Sequence, residues 1–90
     1  MTDRKTAFRL YAAAYRDYGA WQALAPQAES LPMLGPWEPA DHACLKAWAA
    51  SIGGFLLGVD ALCDALEVKR TSYSTGDFYE CAKVIQGMTA

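Results

Sequence analysis

The chain has few of the residues that most enzymes and metal sites require. Its only histidine is His42, and its three cysteines include no Cys-x-x-Cys pair. It contains neither a phosphate-binding Gly-x-x-x-x-Gly-Lys-Ser/Thr loop nor a Gly-x-Ser-x-Gly nucleophile turn. Cys44 is two residues from His42 on a predicted helix, so the two side chains point about 200° apart and do not form a nucleophilic pair. The sequence therefore predicts a protein that is not an enzyme, with no catalytic residues, no metal site and no cofactor.

The chain also lacks an excess of positive charge and a long apolar run. Its net charge is −2 and its pI is about 5.1, whereas a nucleic-acid-binding domain usually carries a basic excess. The longest uncharged apolar run covers residues 47–59, which is shorter than the roughly 20 residues of a membrane span. The start of the chain does not resemble a signal peptide, and an odd number of cysteines suits a reducing compartment. These features predict a small, acidic, cytoplasmic protein that does not enter a membrane.

What the chain does have is apolar residues at helical spacing. Apolar residues make up 53% of the 90 positions, which excludes a disordered chain. They recur at steps of three and four, as in amphipathic helices, and no segment alternates as a strand would. We predict one all-α domain over residues 1–90, a compact three-helix fold. Its helices are expected over residues 6–25, 39–68 and 75–87.

Four prolines fall between the first two predicted helices. They are Pro26, Pro32, Pro36 and Pro39. Proline disfavours helix at the residue before it, so we predict that Pro26 ends the first helix. A free linker would be polar, but this segment also carries leucine, methionine and tryptophan. We therefore expect residues 26–38 to form a long proline-rich loop that packs on the core, with Trp37 as its plug.

The second predicted helix has two faces of different size. Its large apolar residues are Leu45, Trp48, Ile52, Phe55, Val59, Leu62 and Leu66. Its small residues, nominated for self-association, are Ala47, Ala50, Gly54, Gly58, Ala61 and Ala65. Glycine inside a helix costs about 1 kcal/mol relative to alanine, and close approach of another backbone offsets that cost. Either a helix of the same chain covers the small face, or two copies meet there as a homodimer, or the glycines bend the helix.

The first predicted helix carries more aromatic residues than one face of a small domain needs. We assign Phe8 and Tyr11 to the core. Interfaces owe most of their binding energy to Tyr, Trp and Arg. The residues nominated for binding a partner are Arg9, Tyr15, Arg16, Tyr18 and Trp21. A basic stripe on this helix, with Lys5, and an acidic stripe at Asp60, Asp64 and Glu67 are either solvated faces or surfaces for an oppositely charged partner.

The stretch before the third helix offers two further interpretations. Residues 69–76 are rich in Ser and Thr and precede a helix N-terminus, so they either cap that helix or hold an anion. Ser74, followed three residues later by Asp77, resembles the start of a capping box.

Residues 62–73 read Leu-Cys-Asp-Ala-Leu-Glu-Val-Lys-Arg-Thr-Ser-Tyr, which resembles the helix-turn-helix of repressor-like domains. The resemblance implies that Arg70, Thr71, Ser72 and Ser74 open a recognition helix, although Glu67 stands where that family usually has glycine. It makes a DNA-binding regulator using residues 62–76 the alternative function.

The function that we expect is protein recognition. The chain would act as a small non-catalytic inhibitor, adaptor or regulatory subunit, of the kind that phages and mobile elements encode. Its expected partner is another protein, with a homodimer through the second helix as a further expectation. Nucleic acid is a less favoured partner because of the acidic balance of the chain.

Overall fold

Two long helices and one shorter helix make up most of residues 2–88, which is the part of the chain that the computed structural model describes. The helices are α1 (Arg4–Glu29), α2 (Pro39–Leu66) and α3 (Ser74–Gly87). No strand occurs within the described residues, so the predicted all-α fold with three helices is confirmed. Positions 1, 89 and 90 of the predicted domain lie outside the described residues.

Helix α1 begins at a side-chain cap and continues beyond its predicted end. Asp3 is the N-cap, and its Oδ1 accepts a hydrogen bond from the backbone N–H of Thr6 at 2.7 Å. The prediction that Pro26 ends the helix is wrong, because Pro26 lies inside α1. Proline removes the hydrogen bond to the carbonyl of Gln22 and its ring crowds that carbonyl, but both effects fall in the last turn of the helix. The burial of Ala28 in the last turn favours continuation of the helix.

Helix α2 begins and ends with recognisable caps. The backbone N–H of Glu38 donates to Asp41 Oδ2 at 2.9 Å, which forms half of a capping box, and Pro39 occupies the first turn. The helix ends at Leu66, since Glu67 has a φ of +56° and adopts the left-handed conformation. The observed end lies two residues before the predicted one.

Helices α1 and α2 form an antiparallel hairpin. The backbone N–H of Thr2 donates to the carbonyl of Ala65 at 3.3 Å, so the start of α1 lies beside the end of α2. Further along, Ala14 packs directly on Gly58. A Cβ added at Gly58 would lie 3.1 Å from the Cβ of Ala14, so the two backbones approach closely.

Helix α3 lies antiparallel to α1 and closes the core against the hairpin. Arg4 Nε donates to the carbonyl of Ile85 at 3.4 Å, and the ring of Tyr11 stacks on Phe78 with centroids 4.5 Å apart. The buried core residues come from all three helices. They are Ala7, Ala14, Phe55, Val59, Leu62, Cys63, Leu66, Phe78, Cys81 and Ile85.

The connection between α1 and α2 packs mainly on itself. Met33 and Leu34 are almost fully exposed. Trp37 donates from Nε1 to the carbonyl of Pro32 at 2.7 Å, and its ring meets His42 edge-on at 5.6 Å. The predicted proline-rich loop packed on the core is thus not confirmed. Because α1 extends past Pro26, the shorter connection spans only the end of the hairpin, away from the core.

Helix α3 covers only part of the hairpin. The described chain measures 52 × 23 × 16 Å, and its long axis reflects the length of α1 and α2. The buried residues in the half of the hairpin next to the connecting loop are Ala28, Cys44 and Ser51. The main core therefore lies at the end where α3 packs.

Candidate functional site

Exposed aromatic side chains gather where α1 meets α3. Phe8 and Tyr15 on α1 are 57% and 59% exposed, and Tyr79 on α3 is 59% exposed. Tyr11 lies between the two α1 residues, with its ring centroid 6.4 Å from that of Phe8 and 6.1 Å from that of Tyr15. We call Phe8, Tyr11, Tyr15 and Tyr79 the aromatic surface.

The hydroxyl of Tyr11 stays neutral in this setting. Partial burial raises the pKa of Tyr11, because phenolate is poorly solvated there, and the neighbouring hydroxyls of Tyr15 and Tyr79 raise it further. The aromatic surface thus presents a neutral phenol at its centre, which can both donate and accept a hydrogen bond.

A shallow groove continues the aromatic surface towards the end of α3. Its volume is about 150 Å³, and its lining residues are Arg4, Phe8, Tyr11, Ala82, Ile85 and Gln86. Apolar walls with a few polar groups are typical of places that bind an apolar side chain in a defined orientation. The groove lies where the first turns of α1 pass the last turns of α3.

A basic flank lies beside the aromatic surface. Lys5, Arg9 and Arg16 are exposed, and within residues 2–88 no carboxylate oxygen lies within 4 Å of their cationic groups. At about 100° per residue, Arg9 and Arg16 lie roughly 80–120° around the axis of α1 from Phe8 and Tyr15. The basic flank and the aromatic surface therefore adjoin on one side of the molecule.

The structure divides the residues that we nominated for partner binding. The exposed members are Arg9, Tyr15 and Arg16. Tyr18 and Trp21 are half-buried, and their ring centroids lie 5.2 and 5.8 Å from that of Phe55. These two rings pack against the core, so only their exposed edges are accessible to a partner.

Two residues of the aromatic surface are not among those that the sequence pattern nominates. The assignment of Phe8 to the core is wrong, because α3 packs over Tyr11 and leaves Phe8 about 60° further round α1 in solvent. Tyr79 was not nominated, although its position next to the inward-facing Phe78 would have indicated an outward direction.

The small-residue face of α2 is shared between the chain's own packing and solvent. A Cβ added at Gly54 would lie 2.7 Å from Asp17 Oδ2, and Gly58 meets Ala14, so α1 occupies both glycine positions. Ala65 is half-buried. The exposed members of the face are Ala47, Ala50 and Ala61. Self-association through α2 stays a prediction for the exposed alanines.

A buried carboxylate holds the turn before α3. The side chain of Asp77 accepts hydrogen bonds from the Thr71 backbone N–H at 3.0 Å and from the Thr71 hydroxyl at 2.8 Å. Arg70 Nη1 also donates to Asp77 at 3.0 Å, while its Nε lies 2.8 Å from a carboxylate oxygen of Asp60. The Thr71 N–H bond is the largest cause of the lowered pKa of Asp77, and Arg70 adds to it.

This network changes three interpretations of the segment. The Ser74–Asp77 capping box is wrong, since Tyr73 is the N-cap and Asp77 bonds to the preceding turn. Binding of an anion at this turn is disfavoured, because the carboxylate of Asp77 already accepts the Thr71 N–H and would repel a second negative charge. The expectation that Arg70, Thr71 and Ser72 open a recognition helix is also wrong, because α3 begins at Ser74 and these three residues lie in the turn.

His42 and Cys44, whose spacing does not favour a nucleophilic pair, also differ in exposure. His42 is exposed, and Cys44 is buried on the same helix. Residues 2–88 contain no group of three or more His, Cys, Asp or Glu side chains placed to hold a metal ion.

Helix α2 is long and apolar enough, by length and composition alone, to cross a membrane. The core helix of a soluble protein has the same properties, and α2 buries Phe55, Val59 and Leu62 in the core while leaving Leu57 exposed. Charged residues interrupt the apolar run of α2, so the length of its uninterrupted run does not reveal this property. The location of the protein stays a prediction.

Comparison with known proteins does not identify a family for this chain. No protein-family model, no curated protein and no solved structure matches the chain.

Proposed function

We propose that the chain is a small non-catalytic module that binds another protein and acts as a stoichiometric inhibitor, adaptor or regulatory subunit. The observation that supports this proposal is the adjacency of an exposed aromatic surface and a basic flank that has no carboxylate partner within residues 2–88. Three large rings remain exposed to water, those of Phe8, Tyr15 and Tyr79. Burying them against a partner would be favourable, because apolar ring surface would leave water. Tyr and Arg are also among the residues that contribute most to binding energy at protein interfaces.

The groove next to Phe8 supplies a place for an apolar side chain of the partner. Phe8, Tyr11 and Ile85 would surround that side chain, and Arg4 and Gln86 would bond to polar atoms around it. An anchor in a pocket with a polar rim is the arrangement found in well-packed interfaces.

The charge distribution favours an acidic segment on the partner. Residues 1–16 contain four cationic side chains and one acidic one, whereas the other 74 residues contain four cationic and nine acidic side chains. The basic flank is therefore a local exception in an acidic protein. Complementary charges speed association and exclude partners with the same charge.

Affinity capture with matched variants tests the proposal. Tagged wild-type protein should recover one protein at a fixed ratio from cells of its natural host. The double variant Phe8→Ala, Tyr15→Ala should bind it at least about 30-fold more weakly, because one hot-spot aromatic contributes about 2 kcal/mol. Tyr73→Ala is the control, since Tyr73 is 75% exposed and lies outside the aromatic surface. Circular dichroism should show that every variant keeps its helices.

The basic flank is tested with the same partner. Arg9→Glu with Arg16→Glu should slow association, and the wild-type association rate should fall with added salt. Lys46→Glu with Lys69→Glu, two exposed changes away from the basic flank, controls for the same change in net charge. Equal recovery by wild type and both surface variants, or recovery of nucleic acid in place of a protein, would contradict the proposal.

A further inference from the structure

Two cysteines from different helices lie in contact inside the core. Cys63 on α2 and Cys81 on α3 have Sγ atoms 3.5 Å apart, and both side chains are buried free thiols. The proposed binding surface uses neither residue. A disulfide needs an S–S distance of about 2.05 Å, so the sulfurs must approach by roughly 1.5 Å for the bond to form.

We propose that Cys63 and Cys81 form an intramolecular disulfide when the chain meets a disulfide oxidant such as oxidised glutathione. One cysteine thiolate attacks a sulfur of the oxidant, the S–S bond of the oxidant breaks, and the first glutathione leaves as a thiolate. The second cysteine thiolate then attacks the mixed disulfide at the protein sulfur and releases the second glutathione. Two electrons pass to the oxidant, and the two protons of the cysteine thiols end on the two glutathione molecules.

Burial makes the reaction depend on opening of α3. The pKa of Cys81 is raised to about 12, chiefly by desolvation and next by its hydrogen bond with Cys63, so its thiol stays protonated in the closed fold. Displacing α3 from α2 exposes both sulfurs to water and oxidant, and re-docking of α3 brings them together. The bond would then fix α3, and with it Tyr79, against the hairpin.

The third cysteine provides an internal control. Cys44 lies on α2 about 28 Å from Cys63 at 1.5 Å per residue, so it cannot pair with Cys63 within the helix. Cys44→Ser therefore removes the uninvolved thiol and leaves the proposed pair intact.

The test is equilibration of the whole chain with graded ratios of reduced and oxidised glutathione, followed by alkylation and mass measurement. Wild type should lose two of its three free thiols without gaining glutathione, and Cys44→Ser should lose both of its thiols. Cys63→Ser and Cys81→Ser should form no intramolecular bond. Amide exchange along α3 should slow in the oxidised protein.

A parallel series is run in urea below the unfolding transition, where α3 opens more often. It distinguishes slow access of the oxidant to the buried sulfurs from a placement of the two sulfurs that cannot form the bond. Two free thiols in Cys44→Ser at the oxidising end of both series would overturn the proposal. Accumulation of a glutathione adduct on Cys63 or Cys81, in place of the intramolecular bond, would overturn it as well.

Discussion

At the scale of single residues, Asp77 determines how the turn before α3 is held. Its carboxylate is buried, yet it accepts hydrogen bonds from Thr71 and Arg70, so its charge is compensated. A buried charge without such partners would be strongly unfavourable. The sequence showed the acidic residue but not its partners, because a capping box and a bond to the preceding turn both require an acid at this position.

Acid should weaken the fold through Asp77. Its folded-state pKa lies below the ordinary value of 3.8, so its stabilising contribution is complete above about pH 4 and is lost as pH falls through the folded pKa. We expect the urea midpoint, followed by circular dichroism, to fall steeply below pH 4 in wild type. Asp77→Asn should lower the midpoint at neutral pH and flatten the acid limb.

The control for this measurement is Asp64→Asn, which changes an exposed carboxylate on α2 that has no salt bridge within residues 2–88. Its acid limb should match that of wild type. An Asp77→Asn protein with an unaltered acid limb would show that another group causes the loss.

Glu67 explains why α2 ends two residues before its predicted end. Its left-handed conformation is one that glycine adopts more readily than glutamate, so propensity alone favours a later end. The fold stabilises the earlier end because the Val68 N–H donates to the carbonyl of Cys63 at 2.9 Å, and Val68 packs on the core. The hydrogen bond exists only once the cap has formed, and the packing of Val68 is a tertiary contact. Helix propensity contains neither, so it places the helix end too late.

At the scale of helices, the glycines of α2 have different surroundings. A Cβ at Gly58 would meet Ala14 at 3.1 Å, whereas a Cβ at Gly53 would have nothing within 4 Å. The sequence suggested that another backbone approaches the small residues of α2. It could not show which glycine makes the contact, because that depends on how α1 is aligned along α2.

Substitution at Gly53 and Gly58 should therefore have opposite effects on stability. Gly53→Ala should raise the free energy of unfolding by about 1 kcal/mol through better helix propensity. Gly58→Leu should lower it by about 1–3 kcal/mol, since the side chain would push α1 away. Urea unfolding gives both values. A Gly58→Leu protein as stable as wild type would contradict the close contact with Ala14.

Periodicity predicted the existence and type of all three helices. It could not predict which aromatic rings of α1 are buried and which are exposed. The apolar arc of α1 faces both α2 and α3, and the burial of each ring depends on the position of α3. That position depends on the turn held by Asp77 and on the stacking of Tyr11 on Phe78. The bonds of Asp77 to Arg70 and Thr71 lie in the turn before α3, and the contact of Tyr11 with Phe78 joins two helices. Neither follows from the spacing of apolar residues along α1, so Phe8 could not be distinguished from a core residue.

At the scale of the whole molecule, α2 retains an exposed apolar strip beside its glycines. Leu57 is exposed, and Ala50 and Ala61 lie on the outside of the same helix. The predicted homodimer has to use these residues, because α1 already occupies the positions of Gly54 and Gly58.

Charge placed on this strip should shift self-association without unfolding the chain. We expect Ala50→Glu and Ala61→Glu to increase the monomer fraction in sedimentation velocity, because a dimer would bury the new carboxylates. Lys69→Glu, which lies outside the strip, should leave the fraction unchanged. A wild-type chain that sediments only as a 9.8 kDa monomer at micromolar concentration would contradict the homodimer.

The incomplete cover of the hairpin by α3 also has a consequence for the response to temperature. The heat capacity of unfolding comes mainly from apolar surface that becomes hydrated, and averages about 12–15 cal/mol/K per residue in globular proteins. Near the connecting loop the fully buried residues are Ala28, Cys44 and Ser51, so that half contributes less than the half that α3 covers. The stability curve of this chain should therefore be shallow, with little curvature between cold and heat and a broad calorimetric transition.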